Sequence, residues 1–298
     1  MPLRKPVADS AVLIAGMARD VAPFIKGEIK SLINCTERFK STTVLVVESD
    51  SSDSTLLELD ALKAEYDNFN YISLGRLSAE IVSRTERIAY CRNQVIAALQ
   101  NNAIYADIDF VMLADLDGLN GLLSPNKIAQ CWNVNEDWDA IFANQEDRYY
   151  DIYALRHSDW SPSDCSAQQL RLDPVLGRSL AHHLAVRSKQ ICLPKKLGLI
   201  EVDSAFGGLG IYKKEAFLSG TYIGSEGGRD ICEHVPFHRL LKKKGYRLFI
   251  NAALTNCVEP INTSRSLKRR PILRAVKIVG RKLLGRSRFN KYLDFLKE

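Results

Sequence analysis

The chain has 298 residues, 46% hydrophobic and 26% charged, which is ordinary for a soluble globular protein and long enough for one large α/β domain or two small ones. No run approaches the roughly 18 apolar residues that span a bilayer, no apolar segment of signal-peptide type precedes Asp9, and the seven scattered cysteines show no zinc spacing, as expected for reduced thiols in a cytosolic protein. The net charge of +6 is unevenly spread: Ser264 to Glu298 holds twelve Lys or Arg against two acids, a local +10 that leaves −4 on the rest, so the overall basicity argues for no nucleic-acid partner.

In chain order, Ala11–Ala15 has the pattern of a buried strand, and Phe24, Ile25, Ile29, Leu32 and Ile33 follow at helical spacing. Thr42–Glu48 reads as a second strand, followed by the polar loop Ser49–Ser54, whose Asp53 or Ser54 can cap a helix starting near Thr55. Asn70–Leu74 reads as a third strand and Arg84–Asn101 as a helix with Ile88, Cys91, Val95, Ile96 and Leu99 inward. Phe110–Ala114 and Trp138–Ala143 are strands four and five, and short elements return near Ala205–Tyr212 and Tyr246–Ile250. Strands and helices alternating in this way predict a mostly parallel, helix-covered sheet, an α/β fold with its ligand site beyond the carboxyl ends of the strands. Between Asn144 and Ser166 the pattern loosens into Tyr-, Trp-, Pro- and Ser-rich loops, expected on an acceptor side.

The most pointed stretch is Phe110-Val-Met-Leu-Ala-Asp115-Leu-Asp117-Gly118. A buried strand drives into two acids at i and i+2, which face one point in space and repel unless a cation or hydrogen bonds lie between them. Upstream, Arg87 and Arg92 with Asn93 share a helix, where guanidinium forks can neutralise a diphosphate, although Arg84, Glu86 and Arg87 also fit a plain solvated helix face. Downstream, Phe206-Gly207-Gly208-Leu-Gly210 allows close backbone approach, and Cys232-Glu233-His234 precedes a basic helix. A carboxylate such as Glu233 suits general-base work if burial raises its pKa, and His234 or His238 offers an imidazole to a metal shell. His182-His183 reads as structural or as an acceptor contact.

Taken together these residues resemble GT-A (Rossmann-like) glycosyltransferases. They are most similar to the cryptococcal capsule mannosyltransferase and fungal Mnn9/Anp1 types, over about residues 10–257. The likeness rests on Glu48-x-x-Ser51-x-Asp53, Arg92-Asn93, Asp115-Leu-Asp117, Tyr150-Asp151, Val202–Gly208 and Cys232-Glu233-His234; Cys91 departs from it, standing where the A-R-N element of the family has alanine. The resemblance implies a domain over 1–263, with a nucleotide-binding half at about 10–145 and an acceptor half at about 146–263. It implies transfer of a sugar from GDP-mannose or a UDP-sugar to a cell-surface glycan or lipid-linked glycan, with Mn²⁺ or Mg²⁺. Asp115, Asp117 and His234 would hold the metal. Ala15, Arg19, Glu48, Asp53, Arg87, Arg92, Asn93, Asp115, Gly207 and Gly208 would bind the nucleotide-sugar, and Glu233 or Asp151 would face the acceptor.

Other readings of the same acids are a non-catalytic sugar-binding or scaffold protein and a nucleotidyltransferase, although Gly16-Met-Ala-Arg-Asp lacks the basic Gly-rich loop of the latter. The tail 264–298 spaces Leu273, Val276, Leu283 and Leu284 at helical intervals among Arg and Lys, a basic amphipathic helix suited to an anionic membrane surface. The enzyme is therefore expected to be cytoplasmic and peripheral on the inner face of the cell membrane.

Overall fold

A computed structural model describes residues 4–258, and the basic tail lies outside them. The main elements are β1 (Ala11–Ala18), α1 (Ala22–Cys35), β2 (Ser41–Glu48), α2 (Thr55–Glu65), β3 (Phe69–Ser73), α3 (Arg84–Asn101), β4 (Phe110–Asp115), α4 (Pro125–Ala129) and β5 (Ala140–Gln145). They continue with α5 (Cys165–Leu176), α6 (Arg178–Ala185), β6 (Leu199–Glu201), β7 (Leu209–Lys213), α7 (Lys214–Leu218), β8 (Ser225–Glu226), β9 (Arg229–Asp230), α8 (His234–Lys243) and β10 (Leu248–Cys257). Eight strands form one sheet in the order β3-β2-β1-β4-β7-β5-β10-β6. The pairs β3–β2, β2–β1, β1–β4 and β5–β10 are parallel, while β7 and β6 run the other way. The mostly parallel α/β sheet expected from the sequence is therefore present, and it takes strands from both expected halves of the chain.

The strands read as unbroken apolar runs because both sheet faces are covered. Val12 and Ile14 of β1 pack with Ile25, Ile29 and Leu32 of α1 and Leu59 and Leu62 of α2. Leu13 and Ala15, one residue out of phase, pack on the opposite face with Val95, Ile96 and Leu99 of α3. This alternation lets one sheet bury two helical layers. Beyond β5 the regular pattern is weaker. Helix α5 has Pro174 within it and leaves Leu170 and Val175 exposed, so it carries no apolar period to read. Its partner α6 is joined to it where His182 Nδ1 lies 3.2 Å from Gln169 Oε1. Strand β6 is a three-residue edge, and β10 extends well past Ile250 through register shifts near Thr255 and Cys257.

Leu113 sits fully buried in mid-β4, opposite Ala15 and Gly210. Leu113→Ala is expected to cost about 2–5 kcal/mol in urea unfolding. Leu57→Ala, on the exposed side of α2, is expected to change stability by less than about 0.5 kcal/mol.

Candidate active site

The chain leaves β1 toward β2 and β3 on one side of the sheet and reaches β4 on the other, so the strand order reverses between β1 and β4. A crevice opens at such a point because the two connections diverge. Here it is a cleft of about 260 Å³. Met17, Ala18 and Arg19 at the end of β1, Ser49 and Asp50 after β2, and Arg84, Arg87, Ile88, Cys91 and Arg92 on α3 form its walls. Asp115, Leu116 and Asp117 form its floor. The first turns of α3 bring two further advantages for an anion, a helix N-terminus and a row of guanidinium groups.

Those guanidiniums differ in freedom. Arg84 is exposed and makes no ion pair among the described residues. Arg19 is exposed, and its ion pair among the described residues is with its neighbour Asp20, at 3.5 Å. Arg87 is held: Nη1 donates to the carbonyls of Ile81 (2.8 Å) and Val82 (2.7 Å), and Nε lies 3.5 Å from Asp50 Oδ2. Asp50 itself adopts φ 62°, and its Oδ1 accepts from the Ser78 amide at 2.8 Å. Neither Arg84 nor Asp50 stood out in the sequence as a binding residue.

The floor is fixed through its backbone. The Asp115 amide donates to Gly208 O at 2.9 Å, and Asp115 O accepts from Asn120 Nδ2 at 2.7 Å. Asn120 also donates to buried Glu28 at 2.9 Å. Gly16 supports the same turn by being small, since a Cβ there would stand 2.6 Å from Leu116 Cδ1, between the two acids. Burial pushes the Asp115 carboxyl up to about 7, against the opposing pull of Arg92, and Asp117, Asp151 and Glu233 add to the rise. The side chain keeps 36% of its surface open to the cleft, so water moderates that effect. Burial also raises Asp117.

Arg92 lies at the centre. Only 5% exposed, it places Nε 3.0 Å from Glu233 Oε1 and Nη2 4.0 Å from Asp115 Oδ1. Its guanidinium carbon sits 4.9 Å from the Phe206 ring centroid and 5.6 Å from that of Tyr222. Burial opposes the charge, but Glu233, Tyr222 and Asp115 outweigh it and hold Arg92 protonated. Glu233 is consequently buried in this ion pair, and neither it nor Asp151 lines the cleft itself. Asp151 is half-buried: Oδ2 accepts from the Gly207 amide at 3.1 Å and Oδ1 from Ala154 at 3.2 Å. Burial raises its carboxyl above the ordinary range.

Several expected ligand contacts are instead structural. Ala15 is buried in mid-strand, because β1 runs three residues further than its apolar pattern suggested. Glu48 is 1% exposed and spends both oxygens locally, accepting from the Ser51 amide (3.0 Å) and Ser73 Oγ (2.5 Å). Asp53 accepts from the Thr55 amide (2.9 Å) at the start of α2 and from the Ala22 amide (3.1 Å), tying the second loop to α1. Asn93 exchanges two 2.9 Å bonds with the backbone of Tyr222 and so holds one wall of the Arg92 sandwich. Gly207 (φ 66°) and Gly208 (φ 83°) are required by left-handed backbone, and a Cβ on Gly207 would lie 2.6 Å from Ala143 O, so the turn folds tightly on the sheet. His238 bonds Ser204 and Tyr212, each at 2.9 Å, and burial takes it down to about 3, a neutral core histidine.

His234 does not join the acids as a metal ligand. It is 2% exposed, stacks on Phe206 at 4.0 Å, and places Nε2 3.7 Å from Glu233. Among the described residues no three His, Cys, Asp or Glu side chains gather to hold a metal. On the cleft floor, Asp115 and Asp117 present hard oxygen donors at a point short of positive charge. That fits a Mg²⁺-type ion, which is commonly held by one or two carboxylates with substrate phosphates completing the shell. It does not fit a cage made by the protein alone.

Two outcomes follow. Arg92→Met leaves Glu233 buried without its cation and is expected to lower unfolding stability by about 3–5 kcal/mol, measured in urea. Asp115 gives a pH signature. Its carboxyl ionises at 3.8 in its ordinary state and at about 7 when folded, so between these values the unfolded chain is charged while the folded chain resists. Stability therefore falls as pH rises through that window, and Asp115→Asn is expected to flatten the fall in melts taken at successive pH values.

The sequence matches no family model and no curated protein. Solved structures do show similarity. Residues 1–349 of S. aureus TarS share 13% identity, covering 84% of this chain and 60% of that one, with a TM-score of 0.43, and TarS is also known bound to UDP and UDP-GlcNAc. The mannosyltransferase PcManGT from Pyrobaculum calidifontis, in complex with GDP-Man and Mn²⁺, shares 15% identity over 84% of this chain and 61% of that one, with a TM-score of 0.41. Glucosyl-3-phosphoglycerate synthase from Mycobacterium tuberculosis, in complex with UDP, shares 14% over 90% and 79%, with a TM-score of 0.42. The chain thus spans about three fifths of the length of the first two structures.

Proposed function

We propose that this protein is a glycosyltransferase that binds a nucleotide-sugar with a divalent cation in the cleft between β1 and β4. The observation that carries this reading is the pairing, within one 260 Å³ cleft, of an arginine wall with a floor of two acids. A diphosphate needs cations on its oxygens, and two adjacent carboxylates need a cation between them and any anionic ligand. A nucleoside diphosphate carrying a metal satisfies both demands.

Arg84 and Arg19 have free guanidiniums to grip the diphosphate, and Arg87 is already fixed at the wall. Asp117, the more exposed acid, is the direct metal contact in this reading, and Asp115 meets the metal through water or serves the ribose. A bound Mn²⁺ or Mg²⁺ would act as a Lewis acid on the departing diphosphate. Asp151 takes the proton of the acceptor hydroxyl as that oxygen bonds to the sugar and the bond to the diphosphate breaks. Its raised carboxyl suits this work better than Glu233, which is committed to Arg92. The donor sugar is a hexose delivered as GDP-mannose or a UDP-sugar. The acceptor is a cell-surface or lipid-linked glycan met at the inner face of the cell membrane, where the tail 264–298 attaches to anionic lipid.

A thermal-shift panel of UDP-, GDP- and CMP-sugars, each with Mn²⁺ and with EDTA, tests the reading. At least one donor is expected to raise the melting temperature only with metal. Asp117→Ala is expected to abolish that dependence, and Arg84→Ala to weaken donor affinity about tenfold through a lost charge-assisted bond. No metal-dependent shift with any nucleotide would sink the proposal, and Asp9→Ala is the control that should leave it intact.

A further inference from the structure

The loop after α6 has a composition at odds with its position. From Arg187 to Ile200 there are four bases, Arg187, Lys189, Lys195 and Lys196, and no acid. Within it Ile191 is 43% and Leu197 48% exposed, with Cys192, Pro194, Lys195 and Lys196 exposed between them. A solvent loop has no use for two large apolar side chains flanking two lysines. Leu193 turns inward to the core, and Leu199 and Ile200 at the far end of the stretch are partly buried against it.

The loop is nonetheless firmly mounted. Ile191 O accepts from the Tyr149 amide at 2.9 Å, Leu193 O from Asn144 Nδ2 at 3.0 Å, and Gly198 O from the Ala252 amide at 2.9 Å. Gln190 Nε2 donates to Tyr150 O at 3.0 Å, one residue from Asp151. The loop is therefore tied down by the Asn144 side chain of β5, the backbone that follows β5 and the backbone of β10, which leaves its apolar tips exposed. At the end of β10 Val258, 50% exposed, opens directly into the forty residues of chain beyond the described ones, twelve of them basic from Ser264 on.

We infer that the Ile191–Leu197 loop is a contact surface for an anionic lipid bilayer, inserting Ile191 and Leu197 at the headgroup boundary while Lys195 and Lys196 meet lipid phosphates. Charge complementarity commits it to anionic lipid, and exposed aliphatic side chains interleaved with lysines commit it to an interface rather than to a free phosphate. It is distinct in sequence from the tail, and it deepens and rests on the reading of an enzyme serving a membrane-bound acceptor, since Gln190 ties the loop to the residue beside Asp151.

Cys192 provides the test. It is the exposed cysteine of the loop; Cys232 alone of the others is not buried and is replaced by serine. The full chain, labelled at Cys192 with an environment-sensitive fluorophore, is mixed with vesicles of phosphatidylcholine alone or containing about a third phosphatidylglycerol. The emission is expected to shift to the blue with anionic vesicles and not with neutral ones. In sedimentation with the same vesicles, Ile191→Ser with Leu197→Ser is expected to weaken capture about tenfold or more. Capture without a shift at Cys192 would overturn the inference by locating the contact elsewhere in the chain. A probe already shielded before lipid is added, no capture at all, or an equal response to neutral vesicles would overturn it too. The donor thermal shift is measured on the same samples, so a failed lipid contact with an intact metal-dependent shift sinks this inference alone, and the reverse sinks the proposed function alone.

Discussion

The site depends on one buried cation. Arg92 sits on the inner face of α3, between the rings of Phe206 and Tyr222, with Glu233 on one side and Asp115 on the other. Its planar, weakly hydrated guanidinium can stack on rings and meet carboxylates at once, which a lysine ammonium cannot do as well. Five segments distant in sequence meet on this side chain: α3, the end of β4, the loop before β7, the segment after α7 that carries Tyr222, and the start of α8. Ionised Asp115 and Glu233 so close together would repel across a poorly solvated gap; the arginine makes their coexistence possible. Asp115 nevertheless keeps a raised carboxyl, so the arrangement retains a residual demand for positive charge at the cleft floor. A protein selected for stability alone would have no reason to retain that demand.

Around this centre runs a buried amide network. Gln145 Nε2 and Asn256 Nδ2 both donate to Gly207 O at 2.9 Å, and Gln145 Nε2 also reaches Asn256 Oδ1 at 3.1 Å. Asn256 continues to Asn120, and Asn120 to Glu28 and to Asp115 O. Side-chain amides suit this task because each offers two donors and an acceptor without adding charge. The network joins the glycine turn, the floor acids and the last strand, so the positions of Asp115 and Asp151 are set by the same buried bonds.

How much of this was legible in the sequence follows from period and context. The sheet was readable because β1, β2, β4 and β5 are continuous apolar runs, and α3 was bounded at both residues because Ser83 caps it and its apolar positions recur in helical phase. The acids 115 and 117 were readable because carboxylates at the end of a buried strand conflict with their surroundings. What could not be read was direction. Glu48, Asp53 and Asn93 are polar residues beside a cleft, and nothing local distinguishes a side chain that points at a ligand from one that bonds its own loop. Asp53 and Asn93 turned out to bond backbone, and Glu48 a backbone amide and a serine hydroxyl, a common fate for short polar side chains near turns. Arg92 was readable as a charge but not as a buried one, because its burial depends on Phe206, Tyr222 and Glu233, more than a hundred residues away. The surroundings of His234 were hidden for the same reason: Glu233-His234 is contiguous in sequence, yet the fold stacks the imidazole on Phe206, twenty-eight residues away.

These facts divide the cleft into a rigid part and a yielding part. Asp115, Asp151, Glu233 and Arg92 are held by backbone hydrogen bonds, ring stacking and the amide network, and Arg87 is pinned by two carbonyls. Arg84 and Arg19, by contrast, have exposed side chains with little to hold them. Long flexible cations lose rotamer freedom when they close on an anion, so their grip on a ligand is tempered by that ordering. The acids at the floor lose almost none. On the proposed reading, the fixed elements would determine where charge is required, and the exposed arginines would set how tightly a donor is held. Affinity can then change by substitution at the rim while the geometry at the floor stays unaltered.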